Sequence, residues 1–323
     1  MALSLEGIAV DVIVVCHTEP GFVRQKRVIF DDTVDGVKKG VQNLINLADK
    51  HKAKVTFVVM PQIAEHFPKG VRHEIGLHLH PGLAGCRVPA KSIFLKDYSF
   101  DDQLEMIRVG KERLHDMLGV DPRVFVAGMW SENTDTIKAL ANAGFTHDCT
   151  PTAHQKTTYF DWSKLPRICM PYRPNEEDYQ KKGDLPLLYV PVSQMLVCES
   201  VNPEVIPLRG LSWLKACFLE YYEQDMPLFH ICLHSPSMTD SYFVKALDEF
   251  LGFISKHEVS FKFSSEIKDP GQLNPRTNLL PYLTCFHTFM LTCLHTFALN
   301  RSLAKTMLKA VIRRTFRISG ELE

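Results

Sequence analysis

The chain carries no surplus of charge. Lys and Arg number 37, and so do Asp and Glu. That balance gives no footing for a nucleic-acid partner or an anionic membrane surface. No Cys-x-x-Cys pair occurs among the nine scattered cysteines. An odd, dispersed set argues against a disulfide framework and for reduced thiols in a cytoplasm. The opening Met-Ala-Leu-Ser-Leu-Glu has no basic residue, and Asp11 breaks the apolar run after it. This is a poor signal peptide and a good buried strand. With 45% hydrophobic and 23% charged residues over 323 positions, the composition is that of an ordinary globular protein, with room for one barrel-sized domain.

What is present is a regular alternation of strand and helix patterns. Short Val- and Ile-rich runs, read as buried parallel strands, lie at Ile8–Cys16, Lys54–Met60 and Arg123–Ala127. Further strands are expected at His73–His80, Phe145–Cys149, Leu187–Val197, Pro227–His234 and Val259–Ser264. Amphipathic spacing predicts helices over Asp35–His51, Phe100–Leu118, Thr134–Ala143, Leu211–Gln224 and Tyr242–Lys256. Ser99 stands as an N-cap, with Asp101 and Asp102 in the first turn behind it. Such a rhythm means βαβ units and a parallel sheet or barrel. The Pro-rich, aromatic stretch Pro151–Asp184 has no periodicity, and loops of that length are usually functional.

The most informative stretch is His73-Glu-Ile-Gly-Leu-His78-Leu-His80-Pro81. On an extended chain, side chains two apart share a face, so His78 and His80 converge while Leu77 and Leu79 face a core. Neutral imidazole is the commonest protein ligand for transition metals. In α/β folds chemistry collects at the C-terminal ends of strands. His17 and Glu19, closing the first strand, stand in such a place.

Several ordered landmarks resemble the polysaccharide deacetylase family, the NodB homology domain, over roughly residues 8–268. Lys54-Val-Thr-Phe-Val-Val59 resembles that family's "kaTFFv" strand, and His73-Glu-Ile-Gly-Leu-His78 its "GHEIGnH" stretch. Gly144-Phe145 with the later Asp161-Trp162 resembles its fourth motif, and Leu233-His234 its final one. The resemblance implies a deformed (β/α)7 barrel, expected over 1–269; the residues 270–323 lie outside the resemblance and are expected to form a helical extension. It also implies removal of an acetyl group from an N-acetylated sugar or related amide with the help of a divalent metal. The implied ion is zinc, with iron, cobalt or nickel as alternatives.

The chain also departs from the pattern. Gly82 stands where the second metal histidine is expected, and His80 takes its place. The first strand ends in His17-Thr-Glu19 where an aspartate motif is expected, and Val126 stands where an arginine is. Ile29-Phe-Asp-Asp-Thr33 looks like the missing motif, but Ile8–Cys16 is the better core strand. The expected metal ligands are therefore Glu19, His78 and His80, two imidazoles and a carboxylate with open positions. His17 is the candidate general base or a fourth ligand. His234 is the candidate proton donor, with Asp161 to orient it. Trp130 and Trp162 are candidates for apolar walls or for stacking on a sugar. A barrel of this fold that binds carbohydrate without turning it over, and an unrelated α/β scaffold with structural histidines, are the alternatives.

Leu279–Leu299 is a stretch of 21 residues without Asp, Glu, Lys or Arg, followed by a basic segment. Its length allows a membrane span or an interfacial helix. His287, His295 and several threonines favour a helix docked on the barrel or on a second subunit, which would make a homo-oligomer.

Overall fold

A computed structural model describes residues 10–83, 85–196, 199–271 and 273–283. In chain order its strands are β1 (Val10–Thr18), β2 (Phe22–Arg24), β3 (Arg27–Ile29), β4 (Val55–Val59), β5 (Glu74–Leu79), β6 (Val124–Ala127), β7 (His147–Asp148), β8 (Leu188–Tyr189), β9 (Leu228–His234) and β10 (Val259–Phe261). The helices are α1 (Val41–His51), α2 (Phe100–Leu118), α3 (Thr134–Asn142), α4 (Ile206–Arg209), α5 (Leu211–Tyr222) and α6 (Ser241–Ile254).

β1 is the centre of the main sheet and is buried on both faces. Asp11 pairs with Leu228 of β9 on one side and with Ser260 of β10 on the other. From Val14 onward β4 replaces β10 on that second edge. The sheet thus runs β9-β1-β4-β5-β6-β7-β8, all parallel, with β10 filling the lower edge of β1. Between β8 and β9 the curve is completed by the chain that follows β8. The backbone N–H of Ser193 donates to the His230 carbonyl (3.2 Å), and that of Cys232 to the Val201 carbonyl (3.0 Å). This is the expected deformed (β/α)7 barrel. Helix packing outside it includes α1 on α6, α5 on α6 and α2 on α3.

Local chemistry explains where the elements start and stop. Ser99 caps α2 by accepting from the Asp102 N–H (3.3 Å), and Asn133 closes a capping box with Thr136 at the start of α3. β7 is shorter than the expected Phe145–Cys149, because the Asp148 carboxylate takes the Thr150 N–H (2.8 Å) and turns the chain. β8 is shorter than Leu187–Val197, because Pro191 has no N–H to continue a ladder. β1 is longer at its end than expected, so His17 and Thr18 lie inside it.

The β2–β3 hairpin carries no sequence signal of the usual kind. Gln25 and Lys26 turn it at φ 51° and 58°, a left-handed conformation normally left to Asn and Gly. Behind it, Gly36 opens a π-helical turn that lies against the end of β1. A Cβ there would sit 2.6 Å from the Glu19 carbonyl oxygen, so only glycine allows the approach.

The expected boundary at 269 does not coincide with a break in packing. Residues 276–282 return to α5, where Glu220 is fully buried. Arg167 pairs with Glu220, the Tyr282 hydroxyl donates to it (3.0 Å), and so does the Asn278 N–H (3.0 Å). The expected helical extension and the 279–299 run lie outside the described residues from 284 onward. Among the described residues no helix is long and apolar enough to cross a membrane. Tyr282→Ala removes both a buried ring and a donor to a buried carboxylate. The expected cost is about 3 kcal/mol or more, read as a lower urea midpoint at unchanged slope.

Candidate active site

The C-terminal rim of the barrel gathers the histidines. His17 on β1 and His234 on β9 are register partners, with ring centroids 4.8 Å apart. His78, the penultimate residue of β5, lies beside Val126 of β6 and donates its Nδ1–H to the Val126 carbonyl (3.0 Å). That bond fixes the tautomer, so the lone pair of a neutral His78 lies on Nε2. The atom it faces is Oε1 of Glu19, 2.6 Å away, and Nε2 of His80 is 3.2 Å from the same nitrogen. Glu19 Oε1 to His80 Nε2 is 3.5 Å. The end of β1 is tied to the end of β9 by Ser235, whose hydroxyl accepts from the Glu19 N–H (3.1 Å) and donates to its carbonyl (3.2 Å).

Electrostatics separate these groups. Burial would raise the Glu19 carboxyl, but the His78 and His80 imidazoles beside it outweigh that and hold the pKa well below the usual range. Burial lowers His78, with Glu19 opposing. Burial, then repulsion from His234 and His78, pushes His17 well below an ordinary imidazole, and its Nε2 has no hydrogen-bond partner. His234 goes the other way. Burial is overcome by Glu204, whose Oε2 accepts from Nδ1–H (2.8 Å) and whose Oε1 accepts the backbone N–H (2.7 Å), so the pKa rises to about 9.

Could these residues hold a cation? With His78 neutral, Nε2 is an acceptor aimed at an ionised carboxylate oxygen 2.6 Å away, and two acceptors at that distance repel unless something positive lies between them. The ligand atoms of Glu19, His78 and His80 all lie within 4.8 Å of one another. Two imidazoles and a carboxylate are a donor set suited to zinc or another divalent transition ion, with positions left open. The residues fit the group.

The wall beside the cluster is the turn after β6. A Cβ on Gly128 would fall 2.5 Å from the His80 ring. Met129 and Trp130 both adopt φ 56°, a left-handed conformation that strains non-glycine residues. This turn sets Trp130 on His17, with ring centroids 4.8 Å apart. A cavity of about 530 Å³ opens over the cluster, lined by His17, Glu19, His78, His80 and His234 together with apolar groups.

Five of the six expected site residues therefore meet at one point, and the sixth does not. The Asp161 carboxylate pairs with Lys156 and Ser163, and the carboxylate on His234 is that of Glu204. The correction has a physical reason: Asp161 is spent on its own loop, where its side chain is 38% exposed. Nothing local in Asn202-Pro203-Glu204 marks the glutamate, since its partner is 30 residues away in sequence. Trp130 lines the cavity, whereas Trp162 is fully buried and donates its indole N–H to the Trp130 carbonyl (3.2 Å). Sequence reasoning also missed Phe30, on the chain leaving the hairpin, whose ring meets His234 edge-on at 5.3 Å.

No protein-family model matches this chain, and no curated protein does. Solved structures do. A protein assigned as a polysaccharide deacetylase from Mycobacterium smegmatis is 18% identical, with a TM-score of 0.52 over 85% of this chain and 98% of that one. The fold is that of the polysaccharide deacetylases. A second protein so assigned, from Pseudomonas aeruginosa PAO1, is 16% identical, with a TM-score of 0.53 over 80% of this chain and 90% of that one. PuuE allantoinase is also similar to this chain, at 16% identity and a TM-score of 0.54, over 81% of this chain and 90% of that one. At such identities the likeness is one of fold, and function has to be argued from the site.

Two substitutions probe the arrangement. Gly128→Ala should displace the His80 ring and weaken binding of added Zn²⁺ about tenfold or more, with circular dichroism unchanged. Glu204→Gln removes the charge that raises His234. Any activity that needs protonated His234 falls as pH rises through about 9. In the variant the alkaline limb of kcat/KM should move to lower pH, toward an ordinary imidazole.

Proposed function

We propose that the protein is a metal-dependent hydrolase of non-peptide carbon–nitrogen bonds. It removes an acetyl or related acyl group from an amide nitrogen, such as that of an N-acetylated sugar. The observation that carries this reading is geometric: the ligand atoms of Glu19, His78 and His80 lie within 4.8 Å of one another, and His17 and His234 face each other beside Glu19. Burial favours the neutral form of His17, and Glu204 favours the protonated form of His234. Environments that split two like groups in this way assign a base and an acid.

A divalent ion held by Glu19, His78 and His80 would polarise the acyl carbonyl as a Lewis acid. The chain's own residues do the rest. Neutral His17, which lines the cavity, accepts a proton from water as the water oxygen bonds to the carbonyl carbon. His234, whose Nε2 points away from Glu204, donates its own Nε2 proton to the departing nitrogen as the carbon–nitrogen bond breaks; His17 then loses the water's proton to solvent and His234 regains one, which restores both groups. The products are a carboxylic acid and an amine. Glu204 positions His234 and keeps it charged until transfer. Trp130 stands against His17 and limits water on that side.

A barrel that binds an acylated ligand without turnover is the second reading. It is favoured by His17 and Val126 standing where the deacetylase pattern has aspartate and arginine. Release of carboxylate from a panel of N-acyl amines and N-acetylated sugars distinguishes the two. Turnover is expected, with His234→Ala losing roughly 10²-fold or more while keeping its metal. Binding without release, unaltered by His234→Ala, would leave the second reading.

A further inference from the structure

The side chains over the cluster leave little polarity to spare. The four histidines and one glutamate that line the cavity are all used by the chemistry proposed above. The other lining side chains are apolar or aromatic, including Phe30, Met60, Met129, Trp130, Tyr159 and Phe160. Among the described residues, the Tyr159 hydroxyl and the Trp130 indole N–H are the only lining side-chain hydrogen-bonding groups outside the cluster.

Three of these side chains stay exposed at the mouth. Phe30 is 53% exposed, Tyr159 44% and Met129 36%. All three line the same cavity as the histidine cluster, so their exposed faces border the space a ligand would enter. Met129 strengthens the point. Its backbone is left-handed, where glycine would sit without strain, so the turn is held in a costly form that presents this side chain. Phe30 meets the imidazole assigned as proton donor edge-on, with ring centroids 5.3 Å apart. A sugar ring entering here would bring several hydroxyls past a lining that offers only the Tyr159 hydroxyl and the Trp130 N–H outside the cluster. Each hydroxyl left unpaired costs roughly tenfold or more in affinity.

We propose that the group held in this cavity is an apolar acyl chain longer than acetyl, so that the substrate is a medium-chain N-acyl amide and not an N-acetylated polysaccharide. The acyl carbonyl lies at the histidine cluster, and the chain lies along Phe30, Met129 and Tyr159. This narrows the amidohydrolase reading and rests on it for the placement of the carbonyl. The cavity's preference for apolar groups stands apart from catalysis.

The test is calorimetric titration of the full-length, zinc-supplemented protein with octanohydroxamate, acetohydroxamate and an N-acetylglucosamine trimer. Octanamide titrated into chelator-treated protein keeps the comparison open if no metal binds. Each methylene carried out of water adds about three- to fourfold as an upper bound. The octanoyl probe should therefore bind at least tenfold tighter than the acetyl probe, and Phe30→Ser should shrink that margin. Octanamide should bind the metal-free protein where the trimer does not. Equal affinity for the two chain lengths, or tighter binding of the trimer, overturns the proposal. An octanoyl preference without turnover of any amide keeps the proposal and removes the catalytic reading instead.

Discussion

The structure turns on one buried carboxylate. Glu19 is 8% exposed, and its pKa is held well below normal. An ionised carboxylate out of water is tolerable only when paired and hydrogen-bonded. Three strands converge to satisfy it. β1 delivers the group, β5 brings the nitrogens of His78 and His80, and β9 with its following turn supplies Ser235 and the charged His234. Gly36 lets the next helical turn close over the same point, and Gly128 leaves room for the His80 ring. The parallel barrel makes this meeting possible, because its strand ends share one rim although Glu19 and His78 are 59 residues apart in sequence.

A second set of buried carboxyls follows β6 and ends β7. Glu132 and Asp148 are both fully buried, and burial pushes both carboxyls up. The Tyr189 hydroxyl donates to Glu132 (3.1 Å) and the Thr150 N–H donates to Asp148 (2.8 Å). Like charges this close cannot both ionise in a low-dielectric interior. The pair is thus fitted to hold a proton, in contrast to Glu19, which is fitted to hold a negative charge. Two sets of buried carboxyls in one barrel behave oppositely because one faces imidazole nitrogens and the other faces itself.

Much of the arrangement could be read from residue order. The alternation of Val-rich runs with amphipathic segments specified a parallel α/β sheet, because strands buried on both faces have no polar side to display. The spacing of His78 and His80 specified convergence, because extended chain repeats every two residues. The parts that escaped depend on contacts distant in sequence. Glu204 reaches His234 from a loop with no motif of its own, and Asp161, which lies in the expected fourth motif, bonds to Lys156 instead. The hairpin carrying Phe30 to the site turns on Gln25 and Lys26, residues whose left-handed conformation no local rule favours. The limits of β7 and β8 were set by an aspartate turning its own backbone and by a proline lacking a donor. Both signals were visible in the sequence but were outweighed there by apolar content.

The central claim is that Glu19, His78 and His80 form a cation seat, and not merely a hydrogen-bonded cluster. Metal content measures this most directly. Full-length protein loaded with Zn²⁺ and then dialysed against metal-free buffer should retain one ion per chain, and His78→Ala treated identically should retain none while its circular dichroism is unchanged. A parent protein that retains no ion, or a His78→Ala variant that holds zinc as tightly as the parent, would contradict the claim.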